Sequence, residues 1–285
     1  MKVYNIIGIN LLLDNKFDDF YKDNLEKYRV DEKPTHFIYT HLDIPKLDLP
    51  VIKKTKKKRF YEDEDYDYVL FVSDDEVPLN LIKRKKDFKR YEIYLNKDQE
   101  NIAGIEYTIH QMLFMEMALN CGFIPIHASA FEYKNKAILI TAPSGVGKST
   151  LGSRMYNLYN LPIINDDKPL LRVENDCVLV YSSPFSGKES KNINTVLPLG
   201  LIVFLERGNN KIKYITAKEA INEISRNIFR PNELELWDIF VDIANRTIKD
   251  NMLIKYEASN TDEAAEVLYK YLKEINLWKS RKDLA

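Results

Sequence analysis

The chain has 285 residues, enough for one large domain or two smaller ones with sizeable cores. Lys and Arg number 42 against 43 Asp and Glu, a formal net charge of -1, so no global field singles out nucleic acid or an anionic membrane as the main partner. The 2 cysteines, Cys121 and Cys177, lie far apart and show neither a disulfide framework nor zinc-ligand spacing. No apolar run is long enough to span a bilayer, and Met1-Lys2-Val3-Tyr4-Asn5 lacks the basic, then apolar, pattern of a signal peptide; the expectation is a cytoplasmic protein with no nucleic-acid and no membrane partner.

Over residues 1–100, aromatic and β-branched runs at 2–13, 35–42, 68–72 and 91–95 predict strands, and 14–28 reads as helical. This predicts a β-rich N-terminal module. Between two of its strands lie a basic block, residues 53–59, and an acidic one, residues 62–65, read as a solvated loop whose charges screen one another.

Residues 101–285 form the second predicted domain. Ile105, Ile109, Met112, Leu113, Met117 and Leu119 recur at helical spacing, ending near Gly122, a suitable helix cap. His110 reads as a packing residue and the methionines as core filler. Ile124-Pro125-Ile126-His127-Ala128-Ser129-Ala130-Phe131 predicts a strand that turns through Lys134-Asn135-Lys136 into the apolar run 137–141.

That run leads into Ala142-Pro143-Ser144-Gly145-Val146-Gly147-Lys148-Ser149-Thr150, followed by Leu151, Met155, Leu158 and Tyr159 at helical spacing. Strand, glycine loop and helix occur in the order that gives a phosphate-loop motif meaning. Gly145 and Gly147 let backbone N–H groups wrap a polyphosphate, with Ser144, Val146 and Thr150 completing the loop; Lys148 reaches the outer phosphates and the Ser149 hydroxyl can ligate Mg²⁺. Ala142 stands where the usual pattern has its first glycine. The antiparallel hairpin before the loop sets this chain apart from βαβ-type nucleotide folds.

Beyond the loop helix, residues 161–164 predict a buried strand ending in Asn165-Asp166-Asp167, where a metal-binding acid is wanted. Residues 170–173 and 178–181 read as a hairpin, and Pro184-Phe185-Ser186-Gly187-Lys188 as a second small loop able to face phosphate. A buried strand at 201–205 precedes helices at 218–229, 233–247 and 261–275, with Trp237, Phe240, Val241 and Ile243 in the core.

In this order the motifs resemble the HPr kinase/phosphorylase-like family, which shares its core with ATP-dependent phosphoenolpyruvate carboxykinases and whose short relatives include kinases of lasso-peptide precursors. The resemblance covers roughly residues 100 to 210. It implies an α/β fold: a mixed-sheet P-loop kinase core of HPr kinase/PEP carboxykinase type, with the β-rich module before it and helices after. It further implies ATP and Mg²⁺ as cofactors and phosphoryl transfer to a Ser or Thr hydroxyl of a peptide or small protein, lasso-type precursors included. Lys148 then binds phosphate, Ser149 and Asp166 hold the metal, His127 lies beside the γ-phosphate, Asp167 accepts the hydroxyl proton and Lys188 contacts nucleotide or transferred phosphate. Thr150 replaces the glutamate usual after Gly-Lys-Ser in the bifunctional HPr enzymes, which argues against their hexameric regulation.

Adjacent residues on an extended strand point to opposite faces, so Asp166 and Asp167 both reach one site only if the chain bends there. A small-molecule kinase, a carboxykinase-like enzyme and a nucleotide-sensing module remain open as alternatives, as do the oligomeric state and a peptide-holding role for the N-terminal module.

Overall fold

The computed structural model describes residues 2–17, 21–185, 192–230, 235–250 and 252–275. The chain divides into two compact units, Met1–Asn120 and Cys121–Ala285.

The first unit contains β1 (Lys2–Ile6), β2 (Ile9–Asp14), α1 (Lys22–Glu26), β3 (Arg29–Val30), β4 (His36–His41), β5 (Lys53–Lys54), β6 (Lys58–Glu62), β7 (Tyr66–Val72), β8 (Pro78–Lys85), β9 (Arg90–Leu95) and α2 (Ile102–Asn120). Among the described residues its strands form one sheet in the order β3-β1-β2-β4-β9-β8-β7-β6-β5. The run predicted as one strand at 2–13 is a hairpin, because Ile7 and Gly8 take φ of 55° and 80° and reverse the chain. Of the helix read over 14–28, the described residues hold the single turn of α1.

The basic block is largely strand, with Lys53-Lys54 in β5 and Lys58-Arg59 in β6, whereas Asp63-Glu64-Asp65 of the acidic block form the turn between β6 and β7. Lys53 pairs with Phe60 and Lys58 with Phe71 across β5, β6 and β7. The Lys53 and Lys58 ammonium groups lie over the Phe60 and Phe71 rings, so a charged stripe at a sheet edge is compatible with strand structure while it discourages further pairing.

The helix read as opening the second domain belongs to the first unit. The fully buried Glu106 of α2 accepts hydrogen bonds from the backbone N–H of Lys16 at 2.7 Å and of Phe17 at 3.1 Å. His110, also fully buried, lies 2.7 Å from the Tyr21 hydroxyl and 2.8 Å from that of Thr40. These bonds run to the strands and to the segment before α1, which is why the boundary falls after α2 and not before it. Met115 and Met117 fill core as expected, but Met112 is exposed.

The second unit contains β10 (Ile124–Pro125), β11 (Ala128–Tyr133), β12 (Lys136–Thr141), α3 (Lys148–Tyr159), β13 (Ile163–Asn165), β14 (Leu170–Glu174), β15 (Cys177–Tyr181), β16 (Val196–Arg207), β17 (Lys211–Tyr214), α4 (Ala217–Asn227), α5 (Glu235–Asp250), β18 (Met252–Ala258) and α6 (Asp262–Glu274). The result is an α/β unit around a mixed sheet. Two hairpins turn as the sequence implies, on Lys134-Asn135 and Asn175-Asp176, all four residues at positive φ.

Across part of the sheet the order is β13-β11-β12-β16-β18, with β11 antiparallel to both its neighbours and β12, β16 and β18 mutually parallel. The carboxyl ends of β13, β12, β16 and β18 therefore share one edge. Ile138 and Ile140 of β12, Leu201 and Val203 of β16, and Ile254 and Tyr256 of β18 form the core face under Leu151 and Met155 of α3 and Leu268 and Leu272 of α6. Tyr159 and Tyr269 stack at 3.8 Å where these helices meet. Val241 of α5, expected in the core, is exposed, while Phe240 and Ile243 are buried. Among the described residues no helix is long and apolar enough to cross a membrane.

Candidate functional site

The turn between β12 and α3 depends on its glycines. Gly145 has φ of 79° and Gly147, the residue that caps α3, has φ of 124°, a region closed to most side chains. No neighbouring atom crowds a Cβ at either position, so the demand is conformational and not spatial. The loop opens at the N-terminus of α3, where unsatisfied N–H groups and the helix dipole favour an anion. Ser144 and Gly145 are exposed, Val146 and Gly147 half-buried, and Thr150 exposed on the first helical turn. Lys148 is 6% exposed, and its ammonium donates to the carbonyls of Ala142 at 2.8 Å and Pro143 at 3.4 Å. Burial pushes its pKa below the ordinary lysine value, with Asp167 opposing that shift.

The chain bends after β13, and Asn165 makes the bend. This fully buried residue accepts from the backbone N–H of Asp167 at 2.9 Å and Lys168 at 2.7 Å, closing a turn on its own side chain. Its amide nitrogen donates to the carbonyls of Ser183 at 2.9 Å and Phe185 at 3.1 Å. The turn is thus tied to the segment leading into the Pro184-Phe185 loop. Lys188 lies outside the described residues.

Beyond the turn the two aspartates part. Asp166 is 4% exposed, and its carbonyl lies 3.4 Å from the Ser149 hydroxyl. Asp167 is half-buried; its Oδ1 lies 2.9 Å from Lys168 Nζ and 3.4 Å from His127 Nε2. The main chain holds this group together, with Ala128 N–H donating to Asp167 O at 3.1 Å and His127 N–H to Asn227 O at 2.6 Å. Burial, reinforced by the cations Lys168 and Lys148, pushes the His127 imidazole down to about 4 against the pull of Asp167. His127 is therefore neutral at pH 7, able to hold or pass one proton but not to serve as a fixed cation.

The structure thus brings His127, Lys148, Ser149, Asp166 and Asp167 to one edge of the sheet. It adds Lys168 and Asn165, which the motif reading passed over although the string Asn-Asp-Asp-Lys carries a side-chain turn signal and a cation. Arg207 lies at the loop too, its guanidinium at the end of β16 donating to Gly145 O at 2.8 Å.

No protein-family model matches the chain, and no curated protein matches it. Among solved structures it is similar to the Hpr(Ser) kinase/phosphatase from Coxiella burnetii, with a TM-score of 0.27, 17% identity, and coverage of 42% of this chain and 94% of that one. At that score and identity the likeness decides nothing about this chain, and its chemistry rests on the geometry above.

The Ser149 hydroxyl and the Asp166 carboxylate are oxygen donors of the kind a hard cation takes, and the Ser149 hydroxyl lies 3.4 Å from the Asp166 main-chain carbonyl. Among the described residues no three His, Cys, Asp or Glu side chains converge to hold a metal. Mg²⁺ commonly takes only one or two protein oxygens and completes its shell with phosphate and water, so the residues fit that ion in the company of a nucleotide.

Proposed function

We propose that this protein is an ATP- and Mg²⁺-dependent kinase that transfers the γ-phosphoryl group to a Ser or Thr hydroxyl of a peptide or small protein. The observation that carries the reading is the cluster at the Asn165 turn: a carboxylate, Asp167, within 2.9 to 3.4 Å of Lys168 and His127, beside a lysine-ended glycine loop. A loop that only binds nucleotide has less need of a base at its outer end than a phosphoryl transferase, whose acceptor hydroxyl must lose its proton.

In this reading the loop amides and Lys148 take the phosphates, and Ser149 and Asp166 hold the metal. Mg²⁺, when bound, offsets charge on the β- and γ-phosphate oxygens. The acceptor oxygen bonds to the γ-phosphorus, its proton passes to the Asp167 carboxylate, and the bond to the β,γ-bridging oxygen breaks to release ADP. Lys168 holds Asp167 in place and neutral His127 lies beside it. A serine-bearing precursor peptide of the lasso type is the acceptor class to try first, on the motif resemblance alone.

The test is γ-labelled ATP with Mg²⁺ and a panel of serine-ended peptides, small proteins and hydroxylated metabolites, with products read by mass spectrometry. Lys148→Ala and Asp167→Asn are each expected to lower transfer on the order of a hundredfold or more while the protein stays folded. Undiminished phosphopeptide yield from Asp167→Asn would remove the proposed base. Phosphate found on metabolites alone would move the enzyme to the small-molecule class.

A further inference from the structure

A second feature of the same sheet edge lies on the far side of the glycine loop from Asp167. A cavity of about 430 Å³ opens beside Gly145 and Gly147 at the carboxyl ends of β16 and β18. That volume lies within the range usual for small-molecule sites, and the crevice beyond the carboxyl ends of parallel strands is where open α/β sheets take ligands. Its walls are apolar at Val146, Leu205 and Ala258 and polar at Arg154, Arg207 and Asn260.

Arg154 gives this cavity its chemistry. Its Nε donates to Asp262 Oδ1 at 3.0 Å, and its two terminal nitrogens to Asn260 Oδ1 and Asn260 O, each at 3.0 Å. Three of the donors in the guanidinium plane are thereby fixed to the segment after β18. A guanidinium held by its edge presents its flat face, and the ligand that face favours is a planar π-system. Arg207, bridging the cavity wall to Gly145 O, puts a second cation where the cavity meets the loop.

We infer that this cavity is the subsite for the nucleoside of the donor, its base stacked on the Arg154 guanidinium and its ribose between Arg207 and the loop. The inference rests on the reading of the loop as a polyphosphate site. It also gives the donor a direction: nucleoside over β16 and β18, phosphates across the loop after β12, and γ-phosphorus toward His127 and Asp167 at β11 and β13. A polyphosphate running the other way would put the base against Lys168 and leave Arg154 without a ligand.

The experiment is calorimetric titration of the full chain, in Mg²⁺, with ATP and with inorganic tripolyphosphate, which has the phosphates and no nucleoside. ATP is expected to bind about tenfold tighter or better than tripolyphosphate. Arg154→Ala and Asn260→Ala are each expected to remove most of that difference while leaving tripolyphosphate affinity unchanged. Asn260 is exposed on a loop, so its variant tests the subsite even if Arg154→Ala proves unstable. Equal affinity for the two probes, or ATP affinity indifferent to both variants, would overturn the nucleoside subsite and leave the loop reading standing. Binding of neither probe, or binding of both unaffected by Lys148→Ala, would overturn the loop reading and the subsite with it.

Discussion

Ser129 and Gly152 meet where β11 passes under α3, and the contact leaves no room for a methyl group. A Cβ built on Gly152 would fall 2.5 Å from Ser129 Oγ, on a serine only 1% exposed. Gly152→Ala is therefore expected to destabilise the protein by about 1–3 kcal/mol in chemical denaturation, against its better helix propensity. Ser129 Oγ has no hydrogen-bond partner among the described residues, and its Cβ would lie 3.5 Å from the new methyl. The double variant Ser129→Ala, Gly152→Ala is thus expected to recover most of the loss. Failure to recover would mean that backbone, not the hydroxyl, sets the limit. In sequence, Gly152 reads only as a weak point in a helix; its reason lies on a strand 23 residues away.

At the level of elements, the parts written in local pattern were legible and those set by pairing were not. The β11–β12 hairpin and its Lys134-Asn135 turn, and the three last helices, followed from turn chemistry and helical period. β8 and β18 were missed, since mixed charge in Asn80-Leu81-Ile82-Lys83-Arg84 and Ile254-Lys255-Tyr256-Glu257 hides alternation that only neighbouring strands make useful. The boundary was missed because Glu106 and His110 reach partners some 70 to 90 residues distant. The residues of the candidate site were picked out as motifs, but the bend at Asn165 was only a requirement and Arg154 not a candidate. Because α2 carries the carboxylate that binds the Lys16 and Phe17 amides, Glu106→Ala is expected to cost about 2–4 kcal/mol, read as lost thermal stability. A neutral effect would show that water satisfies those amides.

For the whole molecule, two histidines shielded from solvent, one fully and one partly, bear on the acid response. His110 is pushed down to about 3 by burial, and His127 to about 4. Unfolded, each takes up a proton near the ordinary value of 6.5. Each thus contributes stability present above pH 6.5 and lost as pH falls toward its folded value. Glu106, raised by burial, runs the opposite way near its ordinary value of 4.5. The melting temperature is therefore expected to fall between pH 6.5 and about 4.5, before most carboxylates titrate. The slope should be shallower in His110→Gln and His127→Gln; an unchanged slope in both would assign the acid response to other groups.

The alignment of strand ends along one sheet edge also bears on how this protein could diversify. The residues at the Asp167 end come from the segment entering β11, from β13 and from the turn after it, whereas those lining the cavity come from the ends of β16 and β18 and from α3. Between them the glycine loop is shared and fixed by its backbone. Each end can therefore accumulate substitutions without rebuilding the other; on the kinase reading, a change of donor base and a change of acceptor become separable steps, inherited or engineered one at a time.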